Sequence, residues 1–217
     1  MCFSAGASFA GGAIISTIGI LTVRKNNEPS RRLFASIPLV FGVQQISEGF
    51  VWVALQSGGH ELMLTAATYV FLFAALFLWP SMIPLSVMLM EPSPRRRKAL
   101  IVFLVLGLAT SLCYGSGLFF NQVTPEISSH HIKYTNDFPR LVANIAFGAY
   151  LLATLVPLFI SGIRRMWMFG TLMAVSCLIT GFFYREFLTS VWCFFAALIS
   201  IVIYCIISAG TAAENSH

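Results

Sequence analysis

A carboxylate, two amides and an indole occur together in one apolar segment, and they are the side chains of this chain best suited to chemistry. The stretch reads QQISEGFVW over residues 44–52. Gln44, Glu48 and Trp52 follow i, i+4, i+8 spacing, which places them on one face of a helix. Gln45 lies about 100° around the same helix. An ionisable side chain in such a segment is costly and usually marks a functional site. This group has the donors and acceptors to hold a proton, a metal ion or a hydroxylated ligand.

A structural role for Glu48 is the alternative interpretation. Desolvation disfavours the charged form of a carboxyl group. A protonated Glu48 would then bond a neighbouring backbone or side-chain group and fix helix packing without binding anything.

The composition indicates that these residues lie in a membrane protein. The chain has 217 residues, of which 58% are hydrophobic and only 10% charged, whereas soluble domains carry about 25% charge. Seven apolar runs approach or exceed the roughly 20 residues that cross a bilayer core. They cover residues 8–23, 33–56, 62–90, 99–118, 138–162, 166–184 and 187–208. The sequence therefore predicts an all-α integral membrane protein, a seven-helix bundle that forms one domain over residues 1–217.

Lysine and arginine are distributed unevenly between alternate loops. Ten lie in the first, third and fifth loops: Arg24, Lys25, Arg31, Arg32, Arg95, Arg96, Arg97, Lys98, Arg164 and Arg165. Only Lys133, Arg140 and Arg185 lie on the other side. The positive-inside rule then predicts an outside N-terminus and a cytoplasmic C-terminus, and we expect a bacterial inner membrane. The net charge of +5 is read as this topology signal, with residues 95–98 resting on anionic lipid headgroups. It gives no support for nucleic-acid binding.

Helical rise places several polar residues at the depth of Glu48. About 1.5 Å per residue puts Glu48 about 12 Å below the outer end of its helix, level with Tyr69 on the third helix, which is expected to donate to it. Other residues at comparable depth are Ser111, Tyr114, Asn144, Ser176, Cys177, Trp192 and Cys193. Such side chains turn inward in a bilayer, which predicts a polar cavity that opens outward. Scattered interhelical hydrogen bonds are the alternative.

The outward loops carry the candidate metal ligands. His60, His130 and His131 lie there, and Cys2 is expected on the same side. A zinc site with an open position needs about three protein ligands, which this set could supply, although its spacing matches no specific metal motif. The segment 119–137 is predicted to be a long loop, and loops of that length are often functional.

Several other residues are expected to shape the helices. The spacings Gly12-x-x-x-Ser16 and Gly107-x-x-x-Ser111-x-x-x-Gly115 predict close helix contacts. Prolines in the third and fifth segments predict kinks. Trp52, Trp79, Trp167 and Trp192 are expected at the membrane interfaces, although Trp52 also follows the Glu48 face.

Two stretches of sequence resemble a known family. The residues MCFSAGASF at 1–9 and IPLVFGVQQISEGFVW at 37–52 are similar to an uncharacterised bacterial family of multi-pass membrane proteins. The resemblance implies a helical membrane fold over most of the chain, but it implies no activity and no catalytic residues.

Three functions remain open from the sequence. The first is a binding protein with an outward-facing cavity for a small ligand, lipid headgroup or metal ion. The second is an intramembrane metal-dependent hydrolase that uses Glu48 and the loop histidines. The third is a structural subunit of a larger membrane complex or of a homo-oligomer.

Overall fold

The computed structural model describes residues 4–128, 131–183 and 195–214, and these residues are mostly helical. The helices are α1 (Ala5–Lys25), α2 (Arg32–Ser57), α3 (Glu61–Leu72), α4 (Trp79–Met90), α5 (Pro94–Phe120), α6 (Arg140–Ile160), α7 (Met166–Phe183) and α8 (Ala196–Glu214). A π-helical segment, Phe73–Leu78, joins α3 and α4 into one long helix, and a short 3₁₀ turn, Pro29–Arg31, precedes α2.

The helices correspond to the seven apolar runs of the sequence. Five of them are long and apolar enough to cross a membrane, counting Glu61–Met90 as one. The described parts of α7 and α8 are shorter apolar helices. Leu112 on α5, Leu141 on α6 and Leu178 on α7 are 67%, 73% and 72% exposed, which suits contact with lipid. The helix α5 begins at Pro94, five residues before the predicted start, because proline fits the first turn and the following Arg and Lys residues favour helix.

Small residues hold α1 and α2 in close antiparallel contact. A Cβ at Gly12 would lie 2.6 Å from Ile46 Cγ1, and one at Gly19 would lie 2.8 Å from the Leu39 backbone nitrogen. Ser16 fits against Gly42 in the same way. The predicted role of Gly12 and Ser16 in a close helix contact is therefore confirmed. Two glycines with positive φ, Gly58 and Gly59, form the turn from α2 to α3.

The long helix made of α3, the π-helical segment and α4, which is called the third helix below, is interrupted just before its first proline, Pro80. The Trp79 N–H bonds the Ala74 carbonyl, five residues back, and Pro80 has no N–H to continue this ladder to Ala75. Tyr150 Oη on α6 donates to the Ala75 oxygen at 3.1 Å. Ser111 Oγ on α5 donates to the Phe77 oxygen at 2.6 Å. Neighbouring helices therefore supply the hydrogen bonds at the break, as a membrane interior requires.

Gly107 on α5 makes a second close approach to this helix. Pro84 cannot donate to the Pro80 carbonyl, and a Cβ at Gly107 would collide with that oxygen. About two turns further on, a Cβ at Gly115 would lie 2.8 Å from the Phe77 ring. The predicted small-residue contact of α5 is thus confirmed.

The segment 119–137 contains a β-hairpin, so the prediction of an all-α protein with a long loop here was incomplete. Strand β1 (Val123–Ser128) pairs with β2 (His131–Asn136) in antiparallel register. The β-branched and aromatic residues of VTPEIS and HIKYTN favour strand, and a two-residue connection suits a hairpin.

The main hydrophobic core lies among α2, α4, α6, α7 and α8. Phe34, Ile83, Leu158, Phe169 and Ile203 are among its fully buried side chains. A smaller cluster at the opposite end of the bundle packs the β-hairpin onto α2 and α3. The end that carries the hairpin is called the hairpin end below.

Candidate functional site

The Glu48 face of α2 is completely buried within the bundle. Glu48 and Gln45 are 0% exposed and Gln44 is 3% exposed. Gln45 Nε2 donates to Glu48 Oε2 at 3.1 Å. The carboxylate is therefore held by a neighbour on its own helix, and it faces protein rather than lipid.

Gln44 connects this face to the break in the third helix. Trp79 Nε1 donates to Gln44 Oε1 at 2.8 Å, and the Trp79 ring lies against Phe41 with centroids 4.2 Å apart. Trp79 is only 5% exposed. The expectation that Trp79 lies at a membrane interface was therefore wrong, because its N–H finds a buried acceptor on α2.

Two buried polar atoms near this face lack a hydrogen-bond partner in the described part of the chain. They are Trp52 Nε1 and Thr68 Oγ1, on residues that are 3% and 1% exposed. Trp52 packs in one cluster with Ala67, the residue before Thr68, so both polar atoms lie at a similar level of the α2–α3 pair. A buried polar group without a partner lowers the free energy of unfolding by about 1–3 kcal/mol, so each such group calls for an explanation.

The β-hairpin lies over this part of the bundle. Ile132 is 1% exposed and packs in the Trp52 cluster. The Tyr134 ring stacks on Phe71 of α3, with centroids 5.1 Å apart and planes 17° apart. His131 is also buried, at the start of β2. The hairpin therefore separates the Trp52 and Thr68 side chains from the space beyond the end of the bundle.

The remaining polar residues at this depth are distributed over several environments. Tyr69 is half-buried and its hydroxyl makes no hydrogen bond to Glu48 among the described contacts, while the neighbouring Thr68 is buried. Asn144 is exposed on α6, away from the buried Glu48 face. Tyr114 Oη donates to the Ala143 oxygen at 3.5 Å, and Ser176 Oγ donates to the Met173 oxygen at 2.9 Å.

The candidate metal ligands do not form a cluster among the described residues. No group of three His, Cys, Asp or Glu side chains there is arranged to hold a metal ion. His60 is exposed at the start of α3, whereas His131 is buried. Cys2 and His130 lie outside the described residues, as do Trp192, Cys193 and Arg185.

A second buried carboxylate, which the sequence analysis did not select, lies at the opposite end of the bundle. Glu91 follows α4 and is 4% exposed. Its Oε2 accepts from Gly162 N at 2.7 Å and Ser161 Oγ at 3.1 Å, and its Oε1 accepts from Ser93 N at 3.2 Å. Glu91 therefore joins the α4–α5 turn to the α6–α7 loop. The sequence did contain a signal for this site, because Glu91 is a single acid shortly before the four basic residues at 95–98.

Taken together, the helices define a multi-pass protein with five segments long and apolar enough to cross a membrane. The chain belongs to the family described as "Family of unknown function (DUF6629)", whose pattern matches residues 1–217. This assignment agrees with the resemblance to an uncharacterised family, and it extends over the whole chain. No curated protein and no solved structure matches the chain.

Proposed function

We propose that this protein is a membrane-embedded binding protein whose ligand site is built on the Glu48 face of α2, beneath the β-hairpin. The observation that carries the proposal is the pair of buried polar atoms, Trp52 Nε1 and Thr68 Oγ1, that have no partner among the described residues. Buried polar groups are nearly always bonded to protein or to a bound molecule. A ligand at this level would supply both missing bonds.

The chemistry of the site indicates what kind of ligand fits. Trp52 Nε1 can only donate, so the ligand needs an acceptor, while the Thr68 hydroxyl can donate or accept. Glu48 is an acid held by Gln45 at 3.1 Å and can anchor a hydroxyl or a cationic group. A small polar molecule or a lipid headgroup with both a donor and an acceptor meets these requirements. Gln44 instead orients the site through Trp79.

The bound molecule can be sought directly. Wild-type protein would be purified from membranes in mild detergent, and extracted small molecules and lipids compared by untargeted mass spectrometry with those from Glu48→Gln and Trp52→Phe. We expect wild-type protein to retain a molecule at near-stoichiometric level that both variants lose. Trp167→Phe is the matched control, because Trp167 is 61% exposed on α7 and should leave retention unchanged.

The same comparison distinguishes the structural interpretation of Glu48. Identical sets of extracted molecules from wild-type, Glu48→Gln and Trp52→Phe proteins would contradict a binding function. If in addition Glu48→Leu failed to fold while Glu48→Gln remained stable, Glu48 would serve helix packing alone.

The proposal includes a topology in which the hairpin end faces outward and the C-terminus is cytoplasmic, in a bacterial inner membrane. The uneven distribution of Lys and Arg between alternate loops supports this orientation. A ligand would then enter from outside, past the hairpin.

A further inference from the structure

The hydrogen bonds of Glu91 bring two basic loops together at the end of the bundle opposite the hairpin. The carboxylate bonds Ser93 on the α4–α5 side and both Ser161 and Gly162 on the α6–α7 side. Arg96 lies directly against Gly162, where any Cβ would collide with its Nη1. The two loops thus form one surface, which is called the basic surface below.

The basic surface carries six exposed cations and is otherwise uncharged. They are Arg95, Arg96, Arg97, Lys98, Arg164 and Arg165. The only acid in residues 91–98 and 161–167 is Glu91, which is buried and engaged by the three groups named above. None of its described hydrogen bonds goes to Arg96, so the guanidinium is available to another acceptor.

The position of three of these cations is electrostatically unfavourable. Arg95, Arg96 and Arg97 lie in the first turn of α5, and this turn contains no acid. The N-terminal end of a helix carries partial positive charge, which favours anions and disfavours cations. An anion bound at this turn would offset both the helix dipole and the mutual repulsion of the side chains.

We propose that the basic surface binds the phosphate of an anionic phospholipid headgroup, with Arg96 as the donor between the two loops. Arginine binds phosphate through parallel, charge-assisted hydrogen bonds. Clusters of basic residues at the end of membrane helices recognise anionic lipids in this way.

A specific headgroup site has structural requirements that a charge bias setting membrane orientation does not have. Membrane orientation depends on the number of Lys and Arg residues near the helix ends, and acids contribute little to it. It does not require Glu91 to be buried or the two loops to be joined. A specific headgroup site requires both.

The test is a thermal-unfolding titration of the detergent-solubilised full chain with phosphatidylglycerol or with zwitterionic phosphatidylcholine. We expect phosphatidylglycerol to raise the midpoint temperature saturably and phosphatidylcholine to have little effect. Arg96→Ala should raise the phosphatidylglycerol concentration at half-maximal effect about tenfold or more, because it removes a charge-assisted contact. Arg140→Ala, which removes the same charge at the hairpin end, should leave it unchanged.

Glu91→Ala distinguishes a specific headgroup site from simple charge attraction, because the two predict opposite changes in phosphatidylglycerol binding. Loss of the Glu91 hydrogen bonds that join the two loops should weaken this binding. Simple attraction should instead strengthen it, since a negative charge is removed. If Glu91→Ala does not fold, Ser161→Ala removes one hydrogen bond of Glu91 without altering charge and should weaken binding to a lesser extent.

Four results would overturn the proposal. These are equal stabilisation by the two lipids, equal losses in Arg96→Ala and Arg140→Ala, stronger phosphatidylglycerol binding in Glu91→Ala, and unchanged binding in Ser161→Ala. If inorganic phosphate reproduced the stabilisation by phosphatidylglycerol, the surface would bind free phosphate and the lipid assignment would be wrong.

Discussion

The side-chain oxygen of Gln44 accepts from Trp79 Nε1 at 2.8 Å, and both residues are buried. Gln44 and Glu48 share a face of α2, but they have different neighbours. Gln44 joins α2 to the third helix, whereas Glu48 is held by Gln45 on its own helix. At the scale of single residues, Gln44 therefore contributes to the packing of two helices, whereas the Gln45–Glu48 contact lies within one helix.

The Gln44–Trp79 contact should be measurable as a coupling energy. Trp79→Phe leaves the Gln44 oxygen without this donor, and we expect it to lower the free energy of unfolding by about 1–3 kcal/mol. Gln44→Leu should cost a similar amount. The double variant should cost less than the sum by about 0.5 kcal/mol or more. Denaturant-induced unfolding in detergent would measure all three, with Trp167→Phe as the control, and strict additivity would contradict the contact.

Trp52→Phe should behave differently from Trp79→Phe, because it removes a donor that has no partner among the described residues. Without ligand, we expect the free energy of unfolding to change by less than about 1 kcal/mol, the loss of ring volume being offset by removal of an unsatisfied donor. The same unfolding measurement checks this. A loss as large as that of Trp79→Phe would mean that the Trp52 N–H is already bonded in the ligand-free protein.

The sequence predicted which residues share the Glu48 face but not the partner of each. Helical spacing gives rotation about one helix, whereas the Gln44–Trp79 bond depends on where two helices meet. Trp79 was expected at an interface because tryptophans commonly lie there. Its burial follows from an acceptor 35 residues away, which no local pattern indicates. Glu91 was overlooked for the same reason, since two of its three hydrogen-bond partners lie some 70 residues further along the chain.

At the scale of elements, the break at Phe73–Leu78 is the feature on which the arrangement of the third helix depends. The helix loses backbone donors at its prolines, and α5 and α6 compensate through Ser111 and Tyr150. Gly107 lets the backbone of α5 approach the Pro80 carbonyl. These contacts fix the position of Trp79, which begins α4, and through Trp79 they support the Glu48 face.

Two glycine-to-alanine changes should test this close approach. A Cβ at Gly107 meets the backbone oxygen of Pro80, which cannot move without shifting the helix, so Gly107→Ala should destabilise the protein by about 1–3 kcal/mol. Gly148 on α6 has no atom within 4 Å of an added Cβ. Gly148→Ala should therefore be neutral or stabilising by up to about 1 kcal/mol. Thermal unfolding of both variants provides the comparison, and equal effects would contradict the tight contact.

Hydropathy predicted the helices because each must present an apolar surface over its whole length. The hairpin was not predicted, because two six-residue strands inside a mixed segment leave only a short alternating pattern. The π segment has no sequence signature apart from the prolines that follow it. Those prolines predicted a kink, but they did not indicate that Ser111 and Tyr150 would complete its hydrogen bonds.

At the scale of the whole molecule, the ten Lys and Arg residues of the first, third and fifth loops lie at one end of the bundle. The antiparallel contacts of α1 with α2 and of α5 with the third helix place these loops together. The hairpin lies at the other end with Lys133 and Arg140. This separation of charge is the basis for the proposed orientation.

The orientation can be tested with single cysteines in a background without the native ones. Gln122→Cys precedes β1 and Asn27→Cys lies between α1 and α2, and both positions are exposed. We expect a membrane-impermeant maleimide to label the Gln122→Cys variant in intact cells and the Asn27→Cys variant only after permeabilisation. The reverse pattern would overturn the orientation, and with it the proposed outward entry of a ligand.

The junction at Glu91 also has a consequence for the order of assembly during synthesis. Two of its donors, Ser161 Oγ and Gly162 N, lie 70 and 71 residues downstream. Ribosomes add about 5–20 residues per second, so Glu91 waits about 4–14 s for these partners. During that interval α5 and α6 are both synthesised, and the carboxylate is without these two donors. The junction therefore closes late, after the five apolar segments that precede residue 161 have been synthesised.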